Sequence, residues 1–197
     1  MTRAARLDRP TRQAQIYETA ARVFTEKGYE KASMGDIAEA MGMTKAGIYH
    51  HIESKEELLA AIISYGMELF EHQVLDKVMT IRDPLERLRA TLRGHLLLVL
   101  RDRPREVTVI LHESGALPAP ARRKIDARKK RYIRFLEETI RELVMRKVAR
   151  RVDPSVAAFA LLGMVNWTYQ WYRPGGRLDE EELADALSDF YLEGLLA

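Results

Sequence analysis

Residues 33–58 read SMGDIAEAMGMTKAGIYHHIESKEEL, and three positions in this stretch are dictated by geometry. Two helices that cross tightly need a small side chain where the second passes over the first, and Ala38 supplies it. The turn between them needs a residue that accepts positive φ without steric cost, and Gly42 supplies that. The second helix needs an aliphatic plug back into the core, which Ile48 provides. The spacing of Ala38, Gly42 and Ile48 is that of a helix-turn-helix. Helix starts are marked too. Ser33 with Asp36 and Ser54 with Glu57 have capping-box spacing, and Thr44 can cap a short helix running to about His51.

Helical periodicity extends outward from this stretch in both directions. Ile16, Ala20, Val23 and Phe24 share one face of a first helix that Gly28 ends. Ser54 opens a long helix through Leu58, Ile62 and Leu69. Asp83-Pro84 and Asp153-Pro154 each pair an N-cap with a proline suited to the first helical position. The first of these starts a helix with Leu85, Leu88, Leu92, Leu96 and Val99 inward. Pro104 begins a short segment, and Gly115, Pro118 and Pro120 mark a loop. A long basic helix follows, with Ile133, Leu136, Ile140, Leu143 and Val144 on one side. The helix from Val156 to Tyr172 is apolar on most sides and is expected to be buried. Asp179 to Leu196 makes the last helix, with Leu183, Leu187, Phe190, Tyr191 and Leu195 inward. Strand alternation is absent. The expected architecture is all-α, nine helices, with a DNA-binding domain at 9–69 (its helix-turn-helix at about 33–52) and a second helical domain at 70–197.

Composition narrows the function classes. The chain has 197 residues, 47% of them hydrophobic, and no cysteine, so disulfides, thiolate metal sites and cysteine nucleophiles are excluded. No apolar run approaches the ~18 residues of a membrane span, and the Arg-rich N-terminus is not a signal peptide, so a cytoplasmic protein without membrane contact is expected. The net charge of +3 is too small to argue for nucleic acid by itself. Its distribution is uneven: residues 122–151 hold thirteen Lys/Arg against four Asp/Glu, whereas residues 179–197 hold seven Asp/Glu and no Lys/Arg.

A third helix entering the major groove presents its N-terminal residues to base edges. Those residues are Thr44, Lys45 and Ala46. Lys45 can donate to guanine and the Ala46 methyl can touch thymine. Tyr49 and His50 follow one turn on. Ser33 and Lys55 sit at capped helix starts, where backbone N–H groups can meet a phosphate. Arg3, Arg6, Arg9 and Arg12 are either a solvated tail or an arm along the DNA backbone and minor groove.

Taken together, Ala21-Arg-Val-Phe24, Lys27-Gly28-Tyr29, Gly35-Asp36-Ile37-Ala38, Gly42, Gly47-Ile48-Tyr49-His50-His51 and Ser54-Lys55-Glu56-Glu57-Leu58 resemble the N-terminal domain of TetR-type repressors. The resemblance implies an all-helical subunit that dimerises through its last two helices on a pseudo-palindromic operator in double-stranded DNA. It implies phosphate contacts from Ser33, Tyr49, His51 and Lys55, and base reading by Thr44, Lys45, Ala46 and His50. Ile52 and Glu53 depart from the common pattern, where Phe and Pro are frequent.

The second half is less specific. Both tryptophans, Trp167 and Trp171, lie four residues apart, and Asn166, Gln170 and Arg173 form a polar strip along the same apolar helix. Such a strip costs free energy unless partnered. A subunit interface and a pocket wall both account for it. Gly163 and Gly194 lower helix propensity and suit close backbone approach across an interface. With Arg-Leu-Asp at 177–179 and Leu183 to Leu195, this region resembles repressors that answer acyl-coenzyme A thioesters in fatty-acid, aromatic-acid or sterol breakdown. That resemblance implies an acyl chain buried between helices and no cofactor. Asn166, Trp167, Gln170, Arg173, Arg128 and Arg131 are the candidate effector contacts, with Lys129 and Arg134 beside them on the basic helix. The acidic last helix can pair with basic residues across the dimer. Other effectors, such as a drug, a flavonoid or a signal molecule, fit the same fold. An activator or a ligand-free nucleoid protein is a further alternative. An enzyme is disfavoured: His112-Glu113-Ser114-Gly115 lacks a second histidine at metal spacing, there is no nucleophile elbow, and His95 and His112 read as core or pocket histidines.

Overall fold

A computed structural model describes residues 12–102, 109–110 and 112–197. Among these residues every regular element is helical. Helix α1 is Arg12–Lys27, α2 Met34–Ala40, α3 Lys45–Tyr49 and α4 Lys55–Phe70. Helix α4 runs on through a π-helical turn, Glu71–Leu75, into Asp76–Val78. Helix α5 is Pro84–Leu97, extended by a second π turn at Leu98–Asp102. Helices α6 (Ala119–Met145), α7 (Pro154–Trp171) and α8 (Glu180–Leu195) complete the chain. The segment expected from Pro104 falls on 103–108, outside the described residues, as does the tail with Arg3, Arg6 and Arg9. No described helix is long and apolar enough to cross a membrane.

Local chemistry accounts for the boundaries. Ser33 and Asp36 form the full capping box of α2. At α4 the reciprocal contact shifts by one residue. Ser54 accepts from the Glu57 amide at 3.0 Å, but the Glu57 carboxylate reaches back to the amide of Glu53, at 2.7 Å. Asp83 and Asp153 each cap two amides ahead of a proline, and Asp179 with Glu182 forms a second capping box. Gly28 and Gly42 take φ of +78° and +61° where α1 and α2 end. Pro120 sits in the first turn of α6 instead of a loop, because a proline there forfeits no helical hydrogen bond.

Two cores meet on α4. The first gathers Ile16, Ala20 and Phe24 of α1, Ile37 and Ala38 of α2, Ile48, and Leu58, Ile62 and Met67 of α4. The second takes over at Phe70 and Val74 and adds Leu88, Leu92, Leu136, Ile140, Leu161 and Leu192. Arg87 ties α5 to α6 through Glu142 at 2.6 Å and Thr139 at 3.3 Å.

One face of α7 is left uncovered, contrary to the expectation of burial. Val156, Phe159, Trp167 and Trp171 recur at helical spacing and are exposed within the subunit, with Phe190 of α8 74% exposed. A Cβ built on Gly163 or Gly194 meets nothing within 4 Å, so neither glycine serves a contact inside the subunit. Three carboxylates on the acidic face of α8 find partners within the subunit. Asp189 pairs with Arg89 at 2.6 Å, Asp185 with Arg93 at 2.6 Å, and Glu181 with both Arg93 and Arg101.

His95 of α5 is buried in the second core. Its ring centroid lies 4.7 Å from that of Phe70, and its Nδ1 is 3.2 Å from the Tyr132 hydroxyl. Burial disfavours the imidazolium and pushes the pKa from 6.5 down to about 4. Below pH 6.5 protons bind the unfolded chain before the folded one, so stability is lost as the pH falls toward 4. Between neutral pH and about pH 4.5 this one group removes on the order of 2–3 kcal/mol. Denaturant unfolding at the two pH values should show a smaller difference for His95→Gln than for the parent; equal differences would contradict a neutral buried imidazole.

Candidate DNA interface and effector cavity

Helices α2 and α3 are locked by the residues whose spacing announced them. Ala38 and Ile48 are buried, and the Ala38 carbonyl accepts from the Met43 amide at 2.9 Å across the turn. The Thr44 hydroxyl accepts from the Gly47 amide at 3.1 Å. A Cβ at Gly47 would lie 3.3 Å from that hydroxyl, which keeps this turn small. With Ile48 facing inward, Thr44, Lys45, Ala46, Tyr49, His50 and His51 are all left exposed. They form one continuous outer surface over the first two turns after the cap, which is the part of such a helix that meets base edges. Ile52 is buried and accommodates the departure from Phe.

The two outlying phosphate candidates sit differently. Ser33 is exposed, but its hydroxyl donates to Asp36 at 2.7 Å. Asp36 also takes the Lys27 ammonium at 2.6 Å, joining α1 to α2. The Lys27 and Ser33 hydrogen bonds hold the Asp36 carboxyl well below the usual carboxylate range. Lys55 turns inward. Its ammonium donates to the carbonyls of Tyr29 (2.9 Å), Ala32 (3.2 Å) and Glu30 (3.3 Å) and lies 4.4 Å from the Tyr29 ring centroid. An ammonium has three protons, so in this arrangement Lys55 staples α4 to the α1–α2 loop and has none left for a phosphate. The motif marked the position, while only the fold reveals the loop carbonyls around it. Arg12 starts α1 and its side chain reaches Gln15, at 3.4 Å.

The second core contains a cavity of about 230 Å³. Its wall combines Gly66, Met67 and Phe70 of α4, His95 and Leu98 of α5, Lys129, Tyr132 and Ile133 of α6, Leu162 and Asn166 of α7, and Ile110. The lining is mostly apolar with a few polar groups, the usual make-up of a small-molecule site. Of the six candidate effector residues, Asn166 alone lines it. Trp167 is 61% exposed on the outer face of α7. Gln170 bonds the Tyr169 hydroxyl at 2.7 Å, and Arg173 bonds main-chain carbonyls of Gln170 and Tyr172. Consecutive residues on a helix point about 100° apart, so Asn166 and Trp167 cannot share an inward face.

Arg128 and Arg131 leave the cavity for a different task. Arg128 grips Glu71 with two donors, Nε at 3.0 Å and Nη2 at 2.8 Å, and reaches Ser64 at 3.1 Å. Arg131 meets the same carboxylate at 2.6 Å. Burial alone would raise the Glu71 carboxyl; the two guanidinium groups outweigh it and hold the group below its ordinary range. This fork clamps the π turn of α4 to α6. Arg134 is exposed. Lys129, between the arginines in sequence, does face the cavity, and sequence reasoning placed it no higher than its neighbours. His112 is exposed against Tyr169 and is neither core nor cavity.

Known proteins share this arrangement. Residues 16–62 match the family described as bacterial regulatory proteins, tetR family. Residues 81–195 match the family described as tetracyclin repressor-like, C-terminal domain. The solved structure of AibR in complex with isovaleryl coenzyme A and operator DNA is 51% identical, with a TM-score of 0.84 over 90% of this chain and 96% of that one. PfmR, a TetR family transcriptional regulator from Thermus thermophilus, is 35% identical, with a TM-score of 0.81 over 91% and 97%. The HTH-type transcriptional repressor KstR2 of Mycobacterium tuberculosis is 23% identical over 94% of this chain and 93% of its own length.

Two substitutions separate contact from support. Lys45→Ala should weaken binding to a specific operator by about tenfold to a hundredfold while leaving non-specific binding nearly unchanged, as read by anisotropy against operator and scrambled duplexes. Lys55→Met should lower the melting temperature, for a loss of about 1–3 kcal/mol, and leave the salt slope of DNA binding unaltered. A slope reduced by about one unit would instead place Lys55 on a phosphate.

Proposed function

This chain belongs to the TetR family of transcriptional regulators, and from that premise we propose that it is a repressor released from its operator by a short acyl-coenzyme A thioester. Residues 9–69 form the DNA-binding domain in this reading, and 70–197 the effector-binding and dimerisation domain. The base-reading set is Thr44, Lys45, Ala46 and His50, with Ser33, Tyr49 and His51 toward phosphates. The second subunit covers the apolar stripe of α7 and α8, which carries Trp167, Trp171 and Phe190. The DNA then sees two recognition helices about 34–36 Å apart.

The observation that carries the effector reading is the size and lining of the cavity. An apolar cavity of ~150 Å³ is filled by benzene, so one of about 230 Å³ suits a short or branched acyl chain. The similarity to AibR, solved with isovaleryl coenzyme A, supports the same class. The polyanionic end of the thioester stays outside, where Arg122, Arg123, Lys124 and Lys130 are exposed on α6 and attract it by charge.

Release follows from the position of α4. Gly66, Met67 and Phe70 line the cavity, while Leu58, Leu59 and Ile62 of the same helix pack under the helix-turn-helix. An acyl group that favours a different seat for Met67 and Phe70 favours a different tilt of α4 and a changed spacing of the recognition helices. The ligand shifts that balance only by its differential affinity for the two states. Saturating isovaleryl- or pentanoyl-coenzyme A should raise the melting temperature and weaken operator binding by about fivefold to a hundredfold. An operator dissociation constant unmoved by ligand that demonstrably binds would exclude induction by this class.

A further inference from the structure

We infer that the Lys129 ammonium reads the carbonyl oxygen of the effector's thioester, holding the acyl chain in the cavity by its polar end. The inference rests on the acyl-thioester reading above and adds to it the residue that tells a thioester from any other chain of the same shape. Lys129 is the cationic member of a mostly apolar wall. It donates to the Ser114 hydroxyl at 2.9 Å and the Ile110 carbonyl at 3.2 Å, both neutral oxygens. Among the described residues no carboxylate lies within ion-pair range of it, in contrast to Arg128 beside it on α6. Two of its three protons are thus placed, and the third has no acceptor among the described residues.

A half-buried cation facing an apolar space costs stability unless something completes its shell. Burial correspondingly lowers its pKa. The other polar groups in the wall narrow what completes it. The His95 Nδ1 is engaged by the Tyr132 hydroxyl, and burial keeps the ring neutral. The Asn166 amide, on the facing helix α7, has no hydrogen-bond partner among the described residues and offers a second donor. A mostly apolar site whose Lys129 and Asn166 each keep a donor without an acceptor among the described residues asks for an acceptor joined directly to hydrocarbon. In an acyl thioester the carbonyl oxygen is that acceptor, with the alkyl chain on one side and the sulfur leading out on the other.

The test compares pentanoyl-coenzyme A with S-pentyl-coenzyme A, which replaces the carbonyl by a methylene and changes nothing else. Calorimetry on the full-length protein should show the thioester binding about tenfold to a hundredfold tighter. Lys129→Met should erase that preference, Lys129→Arg should keep part of it, and Arg141→Met, at an exposed position farther along α6, should keep all of it. A melting temperature of the unliganded Lys129→Met protein near that of the parent excludes simple misfolding; Lys129→Gln carries the same comparison where the methionine variant does not fold. Equal weakening of both ligands by Lys129→Met, or a parent protein that binds the two alike, overturns the carbonyl assignment while leaving the acyl-coenzyme A reading in place. A parent protein that binds neither removes both.

Discussion

Helix α4 is claimed by two cores, and the rest of the molecule is arranged around that fact. Its first half must present Leu58, Leu59, Ile62 and Met67 to one cluster, and its continuation must present Phe70, Val74 and Val78 to another. A regular helix keeps its apolar stripe on one side. The π turn at Glu71–Leu75 adds a residue to one turn and so rotates the later side chains relative to the earlier ones. Arg128 and Arg131 hold that irregular turn through a single carboxylate, in a partly buried setting where the forked pairing is stronger than at an open surface. Close-packed interiors pass displacement on instead of absorbing it. In the proposed release, a helix wedged between two of them is the rod that links cavity and DNA.

The charges of α8 matter in the same structural sense. Individually, exposed ion pairs such as Arg89–Asp189 contribute about 0–1 kcal/mol. Their collective effect is one of placement. By binding Asp189, Asp185 and Glu181 to arginines of α5, the subunit turns its acid toward its own flank. The groove beside Phe190 and Gly194 has Glu193 as the one carboxylate among its lining residues. In the proposed dimer this placement keeps like charges from facing one another across the two-fold axis.

What the sequence disclosed and what it hid follow a physical line. The helix-turn-helix was legible because Ala38, Gly42 and Ile48 answer to local sterics, and the caps Ser33, Thr44, Asp83, Asp153 and Asp179 answer to amides two or three residues away. The cavity was illegible because it is made by side chains of four helices that meet only after folding. Helix α7 carries apolar residues all round, so periodicity cannot say which of its polar groups turns inward; Asn166 does, Gln170 does not. Lys129 had no signal separating it from Arg128 and Arg131, since a run of basic residues on one helix reads as a single solvated face. Neither π turn has a local signature. Lys55 was marked by its motif, yet its partners are carbonyls more than twenty residues away.

The two tryptophans have a consequence for how this protein can be watched. Both lie on the outward stripe of α7, neither is among the residues lining the cavity, and the sequence contains no third. With the pairing proposed above, intrinsic indole emission becomes a built-in optical gauge of subunit association. It should shift to the blue when the stripe is covered and to the red on dilution to single subunits.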